Sequence, residues 1–377
     1  MPKLCTVEVN GERFRAYRGD VLLDAALASG VDIPHDCRSG ICGTCSVRVL
    51  TGRFFGGETA NSDVVQACRC RVVSDMSILV EKVPDIVEVS GCVSNLVQRA
   101  EDVVEVCVTL PQPVAYLPGQ YFSVQFRGFP ARCYSPTVPL DWPSDARPLR
   151  FHVRQVDGGR ISSALGSRIV EGRRVKLNGP FGSAYLRRDH GGRMVLVASG
   201  TGFAPIWAIA EAAIRERPKR ELVLIVGART LDSLYMIPAL CRLALFPGVT
   251  IVPVVSERQS MSRAVHVGRP TDYMPALSPS DVVYAAGAPA MVEAVARMAK
   301  AAGASCFSDP FEPSPAGESG PGILSRAAVW LSAERQASPP LSMADWTFED
   351  PSIGRAIPAL ADASRFRARS AADGARR

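Results

Sequence analysis

Cysteines at fixed spacing are the first residues of this chain with chemistry to offer. Cys37, Cys42 and Cys45 stand with four residues between the first two and two between the next pair. Thiolates in a C-x4-C-x2-C run, joined by one more downstream, hold a [2Fe–2S] cluster. The downstream candidates are Cys68 and Cys70. Zinc, the competing metal, favours two short cysteine pairs or a cysteine pair with a histidine pair, and neither is present. Gly40 and Gly43 suit a loop folded tightly around an anion, because glycine reaches backbone angles closed to other residues. Their amides can then point at cluster sulfur, one of the levers on its potential.

A second group of residues suits a nucleotide. The apolar run Met194 to Ala198 ends in Ser199-Gly200-Thr201-Gly202-Phe203-Ala204-Pro205. Its G-x-G-x-x-P pattern departs from the G-x-G-x-x-G signature and alone is a weak signal. The next apolar run, Leu222 to Val226, leads into Gly227, Arg229 and Asp232. Asp232 suits a free ribose hydroxyl and repels a 2′-phosphate; Arg229 argues the other way, and the bland alternative is that Asp232 caps the next helix. The balance favours NADH, with NADPH as the alternative. The chain has four histidines, His35, His152, His190 and His266. None forms a C-x-H pair for a Rieske centre, and none is spaced for a facial triad, so the sequence offers neither kind of oxygen-activating iron site.

The elements that must hold these residues fall into segments. Over residues 1–90, Thr6 to Phe14 reads as strand, Asn-Gly turn and strand. Asp20 to Leu27 reads as a short helix, capped by Asp20 and ended by Gly30. The cysteine loop follows, then a strand from Ser46 to Leu50. Around Pro84 to Val87 the chain reads as a linker. Over residues 91–188, Val103 to Leu110 alternates like a half-buried strand, and further short strands between Gly/Pro turns predict a small antiparallel barrel. Over residues 189–312, buried strands alternate with helices, which predicts a doubly wound parallel sheet with ligand beyond the strand C-termini. Residues 313–377 are rich in Pro, Gly, Ala and Arg and read as a flexible extension, with one short helix at Leu324 to Ala333.

Several motifs in order carry a resemblance. Pro118-Gly119-Gln120-Tyr121, Arg132-Cys133-Tyr134-Ser135, His152-Val153-Arg154, Gly158-Gly159-Arg160-Ile161-Ser162 and Gly179-Pro180-Phe181-Gly182-Ser183-Ala184-Tyr185-Leu186 resemble the flavin domain of the ferredoxin–NADP reductase superfamily. The hairpin, helix and cysteine loop ahead of them resemble a β-grasp ferredoxin. Together, over residues 1 to about 312, the chain is similar to the reductase components of bacterial aromatic-ring-hydroxylating dioxygenases, the naphthalene and benzoate type. The resemblance implies a multidomain fold, α+β and α/β: β-grasp ferredoxin, antiparallel β-barrel and doubly wound nucleotide domain. It implies FAD, since FMN goes with a C-terminal ferredoxin.

The resemblance also implies roles. Cys68 rather than Cys70 joins Cys37, Cys42 and Cys45 on iron, because Gln66-Ala67-Cys68-Arg69-Cys70 resembles the L-x-C-Q/G-C ending of such modules. Gln66 stands where leucine is usual. Only 22 residues separate Cys45 from Cys68, several fewer than usual, which implies a loop trimmed around Phe55 to Ser62. Arg132 presents a planar fork to phosphate. Tyr134 lies against the flavin ring, and Ser135 hydrogen-bonds its reactive edge. His152, Val153, Arg154 and Gly159 belong to the same motif set, and Ser162 starts a short helix whose N-terminus favours anions. Gly200, Thr201, Gly202 and Pro205 form the nicotinamide-nucleotide loop. Gly287 and Met291 match a C-G-x-x-x-M turn in which Ala286 replaces the usual cysteine, a change that implies slower turnover rather than loss. Asp309 and Phe311 match a D-x-F ending beside the flavin.

A nicotinamide gives up two electrons at once and the cluster takes one, so the flavin belongs between them. The implied path runs from NADH through FAD and cluster to an oxygenase component or an intermediary ferredoxin. A di-iron monooxygenase partner and a non-catalytic redox sensor are the alternatives. Composition excludes other classes. At 377 residues and 47% hydrophobic, the chain supports two or three domains. Its net charge of +6 is spread, with no basic stripe interleaved with aromatics, against nucleic-acid binding. Residues 1–90 hold ten basic against twelve acidic side chains, weak support for electrostatic docking. Eleven cysteines in a chain this long do not make a disulfide scaffold, and a cluster needs a reducing compartment. No signal peptide or membrane span is read. A cytoplasmic monomer is the expectation.

Overall fold

Asn10 and Gly11 turn the chain at left-handed angles, φ 52° and 92°, as a tight two-residue hairpin requires. They pair strand Leu4–Val9 with Glu12–Tyr17. In the computed structural model, which describes residues 3–35, 38–40, 43–59, 63–139, 148–188, 190–257 and 264–311, this hairpin opens a five-stranded sheet. Its order is Glu12–Tyr17, Leu4–Val9, Met76–Leu79, Ser46–Thr51, Val64–Gln66. Helix Leu22–Ala28 buries Leu22, Leu23 and Ala26 against it. Asp20 does not cap that helix: Val21 is the N-cap, without a side-chain bond, while Asp20 Oδ2 accepts from the Tyr17 amide at 2.7 Å and closes the preceding turn.

Seven antiparallel strands form the middle layer, in the order Arg132–Tyr134, Tyr121–Phe126, Arg174–Phe181, Val87–Ala100, Val103–Thr109, Leu149–Arg154, Pro136–Thr137. They wrap a core of Val106, Phe122, Phe126, Phe151 and Leu177. The long strand starts at Val87, which pairs with Gly179, so the stretch read as linker already belongs to this sheet from that point. Val103–Thr109 is not half-buried as its alternation predicts. Every residue but Thr109 is buried, because its outward side chains lie beneath other parts of the chain.

The last unit is a six-stranded parallel sheet, ordered His266–Val267, Val249–Val255, Leu222–Ala228, Met194–Ser199, Val282–Gly287, Ser305–Pro310. Helices Phe203–Glu216, Ile237–Leu243 and Pro289–Ala302 accompany it. The strand order reverses beside Met194–Ser199, the point where such sheets bind ligands at the strand C-termini. Among the described residues no helix is long and apolar enough to cross a membrane. Cys37, Cys42 and residues 312–377 lie outside the described residues.

Candidate functional site

The cysteine loop is built from left-handed turns. Arg38, Gly40 and Gly43 have φ of 52°, 81° and 68°. A Cβ at Gly40 would sit 2.8 Å from Arg69 Cγ, and one at Gly43 would overlap Ser183 Oγ. Glycine is therefore required twice over, by angle and by space. Cys45 and Cys68 are buried, and the Ala67 amide donates to the Cys45 carbonyl at 2.9 Å, tying the two segments together. Two buried thiols joined across a loop of left-handed turns fit a thiolate-held cluster. Cys70 is fully buried in the same module core as Cys45 and Cys68, with its carbonyl accepting from the Leu22 amide at 2.8 Å. Burial, and then the nearby Glu58 carboxylate, push its thiol up to about 12.

Between the barrel and the parallel sheet, residues far apart in sequence converge. Ser135 Oγ donates to Asp309 Oδ2 at 3.2 Å, and the Phe311 amide donates to the Gly287 carbonyl at 2.7 Å. Thr137 Oγ1 donates to the Ala204 carbonyl at 2.9 Å, which fixes the barrel against the start of helix Phe203–Glu216. Gly200 to Gly202 form a single 3-10 turn at the end of strand Met194–Ser199, with Pro205 in the first turn of the helix that follows. A Cβ at Gly202 would strike the Ala286 carbonyl, and one at Gly287 the Ser199 carbonyl. These glycines let two strand ends close on each other. Gly227 lines a cleft with Gly200, Phe203, Ser233 and Tyr235. Asp232 is exposed in the turn beyond; it does not cap the next helix, whose N-cap is Met236. Arg229 Nε lies 3.9 Å from Glu257. Met291 is half-buried and packs against the apolar core on one face of the parallel sheet.

The flavin-facing candidates divide. Arg132 makes one hydrogen bond, Nη1 to the Ala131 carbonyl at 2.8 Å, and no ion pair among the described residues, so most of its fork remains for a phosphate. Tyr134 stands near Phe151, ring centres 6.4 Å apart, and burial raises its phenol. The donor set Arg132, Tyr134, Ser135 fits a flavin nucleotide. His152 and Val153 do not offer side chains to that cleft. Alternation along Leu149–Arg154 sends Val153 into the barrel core and His152 outward, where Tyr235 covers it. Arg154 Nε is engaged with Asp102 at 2.8 Å. The helix expected at Ser162 is a 3-10 turn of three residues, too short to focus a dipole. The Ser162 hydroxyl accepts from the Val156 amide at 3.1 Å, and a Cβ at Gly159 would overlap it.

Residues 5–73 match the family described as 2Fe-2S iron-sulfur cluster binding domain, residues 92–185 the oxidoreductase FAD-binding domain, and residues 196–297 the oxidoreductase NAD-binding domain. The chain is 32% identical over 318 residues to the naphthalene 1,2-dioxygenase system ferredoxin–NAD(P)(+) reductase component of Pseudomonas putida, covering 78% of this chain and 94% of that one. The chain belongs to the ferredoxin-fused FAD/NAD reductases. This reductase is also 33% identical over 281 residues to the xylene/toluene monooxygenase electron transfer component XylA of Pseudomonas putida, covering 69% and 79% of the two chains. Among solved structures it resembles the Amycolatopsis cytochrome P450 reductase GcoB, with TM-score 0.59 and 30% identity over 82% of this chain and 99% of that one. It is an iron–sulfur flavoprotein oxidoreductase, and [2Fe–2S], FAD and NAD(P)H are its cofactors.

One cluster of this reductase was missed from sequence. Glu105, with no exposed surface, accepts from Arg99 at 2.9 and 3.2 Å, from Arg150 at 2.9 Å and from His152 Nε2 at 3.2 Å. Burial alone would raise its carboxyl, but hydrogen bonds from His152 and Arg99, with the Arg99 charge, hold it well below the usual range. Burial holds His152 below its ordinary value despite Glu105. The ring is thus a neutral tautomer, Nε2–H on Glu105 and Nδ1 accepting from Tyr235 at 3.2 Å. That chain of bonds fastens the barrel to the segment carrying Arg229 and Asp232. The only sequence signal was an acidic residue centred in a valine run.

Proposed function

We propose that this reductase takes hydride from NADH and delivers electrons, through FAD and the [2Fe–2S] cluster, to the oxygenase component of an aromatic-ring-hydroxylating dioxygenase system, directly or by an intermediary ferredoxin. The observation that carries the reading is the position of the barrel. On one side its Gly182 amide donates to Thr44 of the cysteine loop at 3.1 Å; on the other its Ser135 meets Asp309. The names of the relatives support an aromatic oxygenase system. A second reading, delivery to a monooxygenase, for which we take the di-iron kind, is favoured by the likeness to XylA and to a phenol 2-monooxygenase reductase component, both named for monooxygenase systems.

In this reading Cys37, Cys42, Cys45 and Cys68 hold the cluster. Arg132 holds flavin phosphate, Tyr134 flanks the ring, and Ser135, oriented by Asp309, marks its reactive edge. Gly159 and the turn it closes let backbone approach the pyrophosphate. Gly200 to Gly202 and Gly287 cradle the dinucleotide, Phe311 lies beside Gly287, and Asp232 selects a free ribose hydroxyl. Bound FAD supplies the conversion of a two-electron hydride into single electrons. No side chain acts as acid, base or nucleophile. Four thiolates on iron suit a reducing, cytoplasmic setting, and we take the protein to act as a monomer. The test is NADH-dependent reduction of cytochrome c against ferricyanide. Cys45→Ser is expected to abolish the first and spare the second; loss of both, or of neither, overturns the assignment.

A further inference from the structure

The segment that leaves the cysteine-loop module passes through Glu81 before the barrel's first strand at Val87. Glu81 is not a plain linker residue. Its carboxylate accepts from the Tyr185 hydroxyl and lies 3.1 Å from Arg187 Nε. The Arg187 guanidinium sits over the Tyr185 ring, 3.4 Å from its centre, and over the Phe307 ring at 4.3 Å. The Arg187 amide donates to the Tyr284 hydroxyl at 2.8 Å, and Tyr284 stacks on Phe307 with ring centres 5.4 Å apart. Tyr185 and Tyr284 are buried; the side chains of Arg187 and Glu81 keep 17% and 35% exposure. One arginine thus joins the module's exit, the end of the barrel and two strands of the parallel sheet.

The same stretch of barrel carries the contact to the cysteine loop. Gly182 bonds Thr44, and Ser183 fills the space a side chain at Gly43 would need, two residues before Tyr185. Thr44 and Gly43 alone make a narrow contact, and modules joined by small polar interfaces move relative to each other by default. The partly desolvated, hydrogen-bonded carboxylate at the module's exit is the strong anchor, since charge-assisted bonds are about twice as strong as neutral ones.

We infer that Glu81, Tyr185 and Arg187 form an ionic clasp that positions the cysteine-loop module on the barrel for electron transfer, and that its opening frees the module. The inference rests on the proposed electron path. These are positioning residues, acting through the Thr44–Gly182 contact. Loss of one charge-assisted bond shifts the docked-to-free ratio by about tenfold. The experiment compares full-length wild type, Glu81→Gln and Tyr185→Phe by amide hydrogen exchange, with cytochrome c and ferricyanide reduction measured on Glu81→Gln. In both variants, peptides covering 40–48 and 79–88 are expected to exchange about tenfold faster, while the hairpin 4–17 is unchanged. Glu81→Gln should lower cytochrome c reduction by a similar factor and leave ferricyanide reduction intact. Raising salt to about 0.5 M should loosen wild type toward the variant and leave Glu81→Gln unmoved. Tyr185→Phe keeps the ring under Arg187 and serves where Glu81→Gln does not fold. Unchanged exchange in 40–48 and 79–88, or equal salt response in wild type and Glu81→Gln, overturns the clasp. Failure of NADH to reduce ferricyanide in wild type instead overturns the electron path, and the exchange data still read the clasp.

Discussion

Removing the Glu105 carboxylate should destabilise the barrel more than any surface substitution. Glu105→Ala leaves Arg99 and Arg150, whose side chains keep only 22% and 21% exposure, facing each other with no carboxylate between them. It also strands the Nε2–H of His152. Breaking a buried ionic cluster by deleting one partner costs about 3–5 kcal/mol. For a unit near the size of residues 92–185, each kcal/mol lowers Tm by about 4–8 °C. The barrel transition, followed by calorimetry on the full chain, should therefore fall by at least about 12 °C. Replacing the charged groups together, as Glu105→Leu with Arg99→Met and Arg150→Met, should recover part of the loss, because apolar groups of similar volume replace buried ion pairs at little cost, while the Nε2–H of His152 stays without its acceptor. A fall under about 3 °C in Glu105→Ala, or a triple variant no better than the single, would refute the reasoning. The pH dependence follows with its sign. His152 is held below its ordinary 6.5 in the fold, so below that pH the unfolded chain takes a proton that the folded chain refuses, and stability falls. Glu105, held low, keeps its contribution until pH drops below the ordinary 4.5 and loses it toward lower pH. Wild-type Tm should therefore already decline between 6.5 and 4.5, and His152→Gln should flatten part of that decline.

Cys68→Ser should abolish the reduced-cluster EPR signal while Cys70→Ser keeps it; the reverse outcome would reassign the fourth ligand. NADH should exceed NADPH in kcat/KM by about tenfold or more, because Asp232 repels a 2′-phosphate, and equal efficiencies would remove that role. Ala286→Cys should raise the rate of flavin reduction by NADH in stopped flow, and an unchanged rate would make the alanine neutral.

Local chemistry was legible where a residue's task is set by its neighbours in sequence. The cysteine spacing, the Asn10-Gly11 hairpin and the glycine loop after Met194–Ser199 state their geometry within a few residues. What needed the fold was everything decided by a covering layer. Val103–Thr109 alternates as though Glu105 faced water, yet Arg99, Arg150 and His152 close over it. His152 belongs to a motif that resembles flavin contacts, yet a tyrosine from the nucleotide unit claims its ring. Asp20 carries a capping residue's chemistry but spends it one turn earlier, because local competition for backbone amides is decided by register. Glu81, just ahead of the stretch read as linker, went unremarked because nothing near it in sequence reveals Tyr185 or Arg187.

The central claim is that one polypeptide couples a two-electron donor to a one-electron sink through a bound flavin. Anaerobic titration of the purified protein with NADH, followed by visible absorption, tests it most directly. Flavin and cluster bands should both bleach, complete at about 1.5 equivalents of NADH, three electrons in all. A colourless protein, or bleaching confined to the flavin band, would contradict it.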